Sequence, residues 1–167
     1  FDKRGINFGD INSIFKINRT QLSNLNIFRK NNIRGFITAN GELKGKISDP
    51  DILINFNVDY PHYKGIRIRE IWEGDIKNVN DKFVLNMKNR YSPIPSFLSV
   101  NFNSDLQLDS VAFSRVFNSF KGSIEIFKKN ENYIWSAVNF PIDELELSTS
   151  RNQFYKINGI INGMGSI

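Results

Sequence analysis

Apolar and polar residues alternate along most of this chain. The longest such run lies at 33–47, IRGFITANGELKGKI, where every second residue from Ile33 is apolar or glycine and most of the others are polar or charged. A period of two is typical of a β-strand with one apolar face. This strand is longer than the usual range of roughly three to ten residues. Because Gly35, Gly41 and Gly45 remove side chains from its apolar face, we predict a bent strand that lines a concavity.

The next alternating segment forms a hairpin with this strand in our interpretation. Ser48, Asp49 and Pro50 predict a turn, and alternation then resumes from Ile52 to Tyr60. Residues 61–63, Pro-His-Tyr, are predicted to be the following connection. Alternation or glycine-punctuated apolar runs predict further strands at 66–76, 83–87, 100–108, 122–126 and 133–140. Between them we predict a turn at 78–81 and a proline-containing loop at 93–95. Pro141 is predicted to end a strand, and a short element follows at 143–147.

Two segments carry a helical period instead. Leu22, Leu25 and Phe28 are spaced by three, Thr20 precedes them as a possible N-cap, and asparagines at 31–32 end the run. A second short helix is predicted between 110 and 120, with Asp109 or Ser110 as its cap. Its apolar positions are Phe113, Val116, Phe117 and Phe120.

Composition narrows the possible classes of protein. The chain has 167 residues, 40% of them apolar, and no cysteine, so disulfides and thiol chemistry are excluded from it. The net charge of +5 comes from interspersed Lys and Arg, which argues against a dedicated nucleic-acid surface. It contains no apolar run of about 18 residues and no signal-peptide pattern. Trp72 and Trp135 lie in apolar strands, so we predict that they are buried rather than platforms for sugar stacking.

Candidates for catalysis or metal binding are few. His62 is the only histidine, and in a Pro-His-Tyr segment we interpret it as a surface residue rather than a general base. The spacing of Asp49, Asp51 and Asp59 matches no calcium loop. The glycines alternate within strands and do not open helices, so no phosphate-binding loop is predicted. We therefore expect no enzyme activity, no cofactor and no metal.

The chain also contains an internal repeat. Residues 156–167, KINGIINGMGSI, align without gaps on residues 32–43, NIRGFITANGEL, and a weaker third copy begins at Phe120. We predict repeat strands starting near 33, 120 and 157. The predicted fold is all-β: a curved antiparallel repeat sheet with an open, U-shaped groove and one to three short helices at its edges.

The repeated residues resemble a known family. The segment 35–58, GFITANGELKGKISDPDILINFNV, and the segment 139–167, which begins with Asn-Phe-Pro, are similar to the recurring units of the TamB family of AsmA-like translocation and assembly module proteins, in particular its cyanobacterial and plastid branch. The resemblance covers most of the chain from about Ile33 onward. It implies a β-taco, in which stacked strands enclose an apolar trough, and makes 1–167 one segment of a longer repeat array.

The same resemblance implies a function. TamB-like proteins are implicated in moving phospholipid between membranes and in outer-membrane protein assembly with an Omp85-type partner. The expected location is the periplasm, with a tether to the inner membrane in the longer protein, or the plastid intermembrane space. Phospholipid is thus the expected ligand, and nucleic acid is not an expected partner.

The apolar rows specify which residues we expect along a lipid groove. Acyl chains need no polar partner on such a surface, since burial of apolar area alone contributes about 25 cal/mol per Å². The same apolar rows also fit an alternative to the lipid groove: a closed β-sandwich or adhesin-type binding module whose apolar faces pack on each other. The residues predicted to line the groove are Ile33, Ile37, Leu43, Ile47, Ile54, Phe56, Val58, Ile66, Ile68, Val100, Phe102, Leu106, Ile124, Ile126, Ile157 and Ile161.

Overall fold

A computed structural model describes residues 9–46, 49–63, 66–68, 70–79, 82–92, 94–117, 120–142, 145–148 and 154–167 of the chain. Within these ranges almost all of the regular structure is β. The strands are β1 Asp10–Gln21, β2 Ile33–Lys46, β3 Asp49–Tyr63, β4 Ile66–Ile68, β5 Ile71–Val79, β6 Lys82–Arg90, β7 Ser96–Phe102, β8 Leu108–Phe117, β9 Phe120–Lys129, β10 Asn132–Pro141, β11 Leu145–Ser148, β12 Phe154–Ile157 and β13 Ile160–Ser166.

These strands form one antiparallel sheet. Its main path runs β1-β2-β3-β5-β6-β7-β8-β9-β10-β13, and the short strands β4, β11 and β12 branch from the end of β3. Among the described strands, β1 pairs only with β2 and β13 only with β10, so the sheet does not close. The predicted all-β fold, with an open antiparallel sheet, is confirmed.

The strand register aligns apolar residues in two continuous rows across the ten strands of the main path. Because alternate residues point to the same face, both rows lie on one face of the sheet, which we call the apolar face. The first row is Phe15, Gly41, Ile54, Ile76, Leu85, Val100, Val111, Ile126, Trp135 and Gly165. The second row is Ile17, Ala39, Phe56, Gly74, Met87, Leu98, Phe113, Ile124, Ala137 and Gly163.

The sheet curves toward its apolar face. The ring centroids of Trp72 on β5 and Phe113 on β8 are 5.9 Å apart, and Phe113 lies 5.1 Å from Phe140 on β10. In a flat sheet, strands three positions apart would be separated by about 14 Å. The aromatic side chains therefore meet across a concave surface.

Glycines in the two best-matched repeat segments have similar surroundings. Gly41 lies under the ring of Phe15, and Gly165 lies under the ring of Trp135; in both cases a Cβ atom would come within 2.6 Å of the aromatic side chain of the neighbouring strand. Gly35 and Gly159, also aligned in the repeat, both have positive φ, at +128° and +146°. A side chain at either position would be strained, which explains why both copies have glycine there.

A short helical segment joins β1 to β2 near the predicted position. It consists of a 3₁₀ turn, Leu22–Asn24, and a helix α1, Asn26–Lys30. The predicted cap is wrong, because Thr20 belongs to β1 and its hydroxyl donates to the backbone oxygen of Asn18 at 2.6 Å. Leu22 and Phe28 pack against the apolar face of the sheet.

The second predicted helix is wrong. Residues 108–117 form β8, which pairs with β7 and β9, and Phe120 begins β9. Phe113 and Phe117 are four residues apart, a spacing that suits one face of a helix and one face of a strand equally well. Arg115, between them on the same strand face, concealed the alternation. The proposed cap residues, Asp109 and Ser110, lie within β8.

Several predicted turns also differ from the structure. Pro61, His62 and Tyr63 are not a connection but the end of β3, where His62 pairs with Arg34 of β2. Asp49 and Pro50 already belong to β3, and the rest of that predicted turn, Ser48, lies outside the described residues. The β2–β3 hairpin itself is confirmed, with Lys46 opposite Asp49.

Two predicted strands are each divided in the structure. The segment 66–76 is split between β4 and β5, which pair with different parts of the edge of β3. The segment 100–108 is split by a turn at 103–107, where the Asn103 side-chain oxygen accepts hydrogen bonds from the backbone N–H groups of Asp105 and Gln107 at 3.0 and 2.8 Å. An asparagine that bonds its own following backbone favours a turn over a continuous strand.

Two of the three predicted repeat strands begin where expected, at Ile33 and Phe120, whereas the one predicted near 157 is interrupted: β12 ends at Ile157 and β13 begins at Ile160. The turn predicted at 78–81 begins too early, because Asn78 and Val79 belong to β5 and pair with Phe83 and Lys82 of β6; residues 80–81 lie outside the described ranges. Pro95 precedes β7, and Pro141 is the last residue of β10. The short element predicted at 143–147 overlaps β11 at residues 145–147, and residues 143–144 lie outside the described ranges.

Candidate functional site

A cavity of about 430 Å³ lies on the apolar face of the sheet. Pockets that hold small molecules have volumes of roughly 300 to 1,000 Å³. The walls come from six strands, β2, β3, β5, β6, β7 and β8, and from the helical segment after β1. All of the residues that line it are apolar: Leu22, Phe28, Ile33, Ile37, Phe56, Val58, Pro61, Trp72, Ile76, Leu85, Met87, Leu98 and Phe113.

The floor of this apolar cavity is more deeply buried than the upper parts of the sheet beside it. Phe56, Val58 and Trp72 are buried, whereas Ile37 and Leu85 are only half-buried. Cross-strand pairing explains the packed floor, because Val58 lies opposite Ile37 on one side and opposite Trp72 on the other. The side chains of neighbouring strands thus pack together at the base and leave an open apolar space above it.

Trp72 combines deep burial with an unpaired polar atom. Its side chain is 4% exposed and contacts the ring of Phe113 at an interplanar angle of 55°. Within the described part of the chain, its indole Nε1 has no hydrogen-bond acceptor. A buried donor without a partner costs free energy, so the apolar contacts of the ring must outweigh that cost.

A smaller cavity of about 190 Å³ adjoins the larger one. Ile76 and Leu85 line both cavities, and Phe83, Phe102 and Leu106 complete the smaller one. Leu106 belongs to the turn between β7 and β8 and is 64% exposed. The apolar surface therefore continues along β5 and β6 beyond the main cavity.

The predicted groove residues divide by their positions in the structure. Four of them line the larger cavity: Ile33, Ile37, Phe56 and Val58. Phe102 and Leu106 line the smaller one. The apolar rows include Ile54, Val100, Ile124 and Ile126.

Two of the other predicted groove residues lie apart from the cavities, and the side chains of the remaining four are outside the described part of the structure. Leu43 is a half-buried residue of β2, opposite Ser13 and Ile52. Ile161 is an exposed residue of β13, opposite Phe140. The side chains of Ile47, Ile66, Ile68 and Ile157 lie outside the described part of the structure.

The sequence prediction omitted more than half of the residues that form the larger cavity. Ile76, Leu85 and Met87 lie on predicted strands, and their alternation was a sufficient signal to include them. Phe113 was assigned to a helix. Leu22 and Phe28 were assigned to a short helix, but their spacing does not indicate which part of the sheet they contact.

Arg115 of β8 is a buried arginine that lies next to the last residue of β10. The Arg115 side chain is 2% exposed; its Nε donates to the Ser96 hydroxyl at 3.2 Å and its Nη1 donates to the Pro141 backbone oxygen at 3.3 Å. Ser96 and Pro141 are themselves fully buried. These bonds join β8 to the start of β7 and the end of β10, so the arginine has a structural role that the sequence pattern did not predict.

The residues considered for catalysis do not converge. His62 is half-buried within β3, which corrects its assignment to a surface turn. Asp51 and Asp59 are eight residues apart on one strand, or about 26 Å. Asp59 accepts a hydrogen bond from Arg19 Nε at 3.3 Å. The described residues contain no group of three or more His, Asp or Glu side chains placed to hold a metal ion.

Both tryptophans were predicted to be buried, but only one of them is. Trp72 is buried as expected, whereas Trp135 is half-buried and covers Gly163 and Gly165 of the neighbouring strand. In the described ranges, the helices are too short and too polar to cross a membrane.

The chain is an open antiparallel sheet with an apolar cavity on its concave side. No protein-family model, curated protein or solved structure matches the chain. The TamB-like character therefore remains a prediction that rests on the glycine-punctuated segments themselves.

Proposed function

We propose that the chain binds acyl chains of phospholipid in the cavity on its apolar face. The observation that carries this proposal is the wholly apolar lining of a 430 Å³ space contributed by six consecutive strands of the main path. An exposed apolar surface in water favours an occupant that is itself apolar. Acyl chains meet that requirement without any hydrogen-bonding group in the wall.

The position of the lipid headgroup follows from the same chemistry. Moving a charged phosphate into an apolar cavity without partners has a large free-energy cost. The headgroup therefore stays at the open rim, while the acyl chain lies against Ile37, Leu85 and Phe113. This arrangement needs no catalytic group, and we propose a binding or conducting role rather than an enzyme.

The wider biological role rests on the resemblance to the TamB family. In this proposal the chain is part of an inter-membrane bridge in the periplasm, or in the plastid intermembrane space, that is tethered to the inner membrane in the longer protein. An Omp85-type outer-membrane protein is the proposed partner. The continuity of the two apolar rows across ten strands supports a path for acyl chains along the sheet.

The alternative of a closed sandwich requires a second sheet over the apolar face. The described strands form a single sheet, and its apolar cavity is covered only at one side by the helical segment. A binding module with no lipid conduit would use other surfaces of the molecule. The apolar cavity favours the lipid proposal between these two.

Photo-crosslinking in cells distinguishes the two proposals. We expect a photoreactive residue at Ile37 or Phe56 to capture phospholipid, because both side chains line the apolar cavity. Thr38, an exposed neighbour on the opposite face, is the matched control and should give little lipid adduct. Mass spectrometry of the adducts reads out the result. Adducts with protein alone, or equal lipid adducts at Thr38, contradict the proposal.

A further inference from the structure

A second depression, of about 530 Å³, lies on the other side of the sheet. Phe56, Gly74 and Met87 lie opposite one another on β3, β5 and β6 and form part of its lining. The side chains of Phe56 and Met87 also line the apolar cavity, so the second depression lies over the backbone of these residues. We call this depression the polar trough.

One wall of the polar trough is a row of amide and carboxylate side chains. Asn40, Asn55, Asp75 and Asn86 lie opposite one another on four neighbouring strands. The Asn86 Nδ2 group donates to Asp75 Oδ2 at 3.5 Å, and its Oδ1 accepts from the Ser99 hydroxyl at 3.0 Å. At a strand spacing of about 4.8 Å, this row extends for roughly 14 Å across the sheet.

The other wall contains a charge pair and an aromatic ring. Asn57, Glu73, Lys88 and Phe97 lie opposite one another in the next outward-facing row. Glu73 is paired with Lys88 at 3.2 Å and with Arg90 at 3.8 Å, so its charge is already compensated. Phe97 is 47% exposed and presents an apolar ring beside the polar groups.

Three amide groups in the polar trough retain their full hydrogen-bonding capacity. The side chains of Asn40, Asn55 and Asn57 make no hydrogen bond to any part of the chain that the structure describes. Each offers two N–H donors and one carbonyl acceptor. Hydroxyl groups also both donate and accept, so neighbouring hydroxyls of a sugar match such an amide with paired bonds.

The surrounding chemistry disfavours anionic ligands and purely apolar ones. The Asp75 carboxylate has no cationic partner among the described residues, and it disfavours phosphates, nucleic acid and acidic polysaccharides beside the amide row. A free acyl chain would leave the amides without their water partners. The exposed ring of Phe97 suits the C–H face of a sugar, because an aromatic ring provides a rigid apolar contact surface.

We infer that the polar trough binds a neutral oligosaccharide, through the amides of Asn40, Asn55 and Asn57 and the ring of Phe97. The length of the wall fits several linked sugar units rather than one. This inference rests on the face opposite the apolar cavity and does not depend on lipid binding.

Side-chain amide signals in ¹H–¹⁵N NMR spectra test the inference directly. Chitohexaose and cellohexaose, two neutral β-1,4-linked hexasaccharides, are titrated into the protein. We expect at least one of them to shift the amide signals of Asn40, Asn55 and Asn57. The Asn101 amide, which lies outside the trough and donates to the Ser110 hydroxyl at 2.9 Å, should not shift.

Variants on the same face supply the quantitative test. Asn55→Ala and Phe97→Ala should each weaken the association with the responding sugar about tenfold or more, while Asn101→Ala leaves it unchanged. Unchanged backbone spectra outside the trough show that the variants are folded. Two results overturn the inference: no shift with either sugar at millimolar concentration, or equal affinity in Asn55→Ala.

Discussion

Replacing Trp72 by alanine is expected to lower the free energy of unfolding by about 3 to 5 kcal/mol. The indole is 4% exposed, forms the floor of the apolar cavity and contacts Phe113 on the opposite side of the concavity. Truncation removes both its buried area and the contact that joins β5 to β8. For a chain of this length the loss corresponds to a decrease in melting temperature of about 10 °C.

Trp72→Phe is the matched control for this substitution. It keeps an aromatic ring on the cavity floor and removes the indole Nε1, which has no acceptor among the described residues. The cost of the smaller ring is therefore partly offset, and we expect a loss below about 2 kcal/mol. Urea unfolding, followed by circular dichroism, measures both variants. An alanine variant as stable as the phenylalanine variant would contradict the proposed packing of the floor.

Gly122→Ala is expected to destabilise the protein by about 3 kcal/mol. A Cβ atom at this position would lie 2.0 Å from the backbone oxygen of Asn139 and 2.6 Å from Cα of Phe140. Asn139 has a φ of +47°, and the pairing of β10 with β13 shifts register between Ala137 and Phe140. The bulged backbone of β10 therefore lies directly over Gly122 and cannot move away without disturbing two strand pairings.

Gly9→Ala provides the comparison, because a Cβ atom there has no neighbour within 4 Å among the described residues. Its effect on the free energy of unfolding should be within about 0.5 kcal/mol of zero. Thermal and urea unfolding of the two alanine variants measure the difference. If Gly122→Ala is as stable as Gly9→Ala, the close approach of β10 to β9 is incorrect.

The alternation in the sequence was sufficient to predict the open sheet but not all of its strands. The β2–β3 hairpin was predicted because Ile37 and Phe56 belong to long uninterrupted alternations. β8 was missed because Phe113 and Phe117 satisfy both periods and Arg115 occupies a buried position that the pattern treats as polar. A buried arginine becomes compatible with a strand only when its partners, here Ser96 and Pro141, are known.

The candidate site was less predictable than the fold, because a cavity depends on strand register. Alternation places Ile54 and Val100 on the apolar face, but it does not show which residues of distant strands meet. The apolar cavity combines residues separated by most of the chain, such as Leu22 and Phe113. The polar trough had even less signal in the sequence, since its asparagines lie on three separate strands, β2, β3 and β6, and come together only through strand pairing.

A pair of adjacent substitutions tests acyl-chain binding by the apolar face most directly. Leu85 lines both cavities, whereas Val84, its neighbour on β6, points to the opposite face and lies outside both. Leu85→Asp places a carboxylate among apolar walls, and Val84→Asp adds the same charge on the other side. Both side chains are half-buried, so their exposure is comparable.

The measurement is the amount of phospholipid that co-purifies with, or is extracted from vesicles by, each folded variant, quantified by mass spectrometry. We expect Leu85→Asp to retain at most about one tenth of the lipid bound by the unsubstituted protein, because desolvating a carboxylate beside an acyl chain is costly. Val84→Asp should retain most of it. Equal lipid binding by the two variants, or none by the unsubstituted protein, would contradict the account.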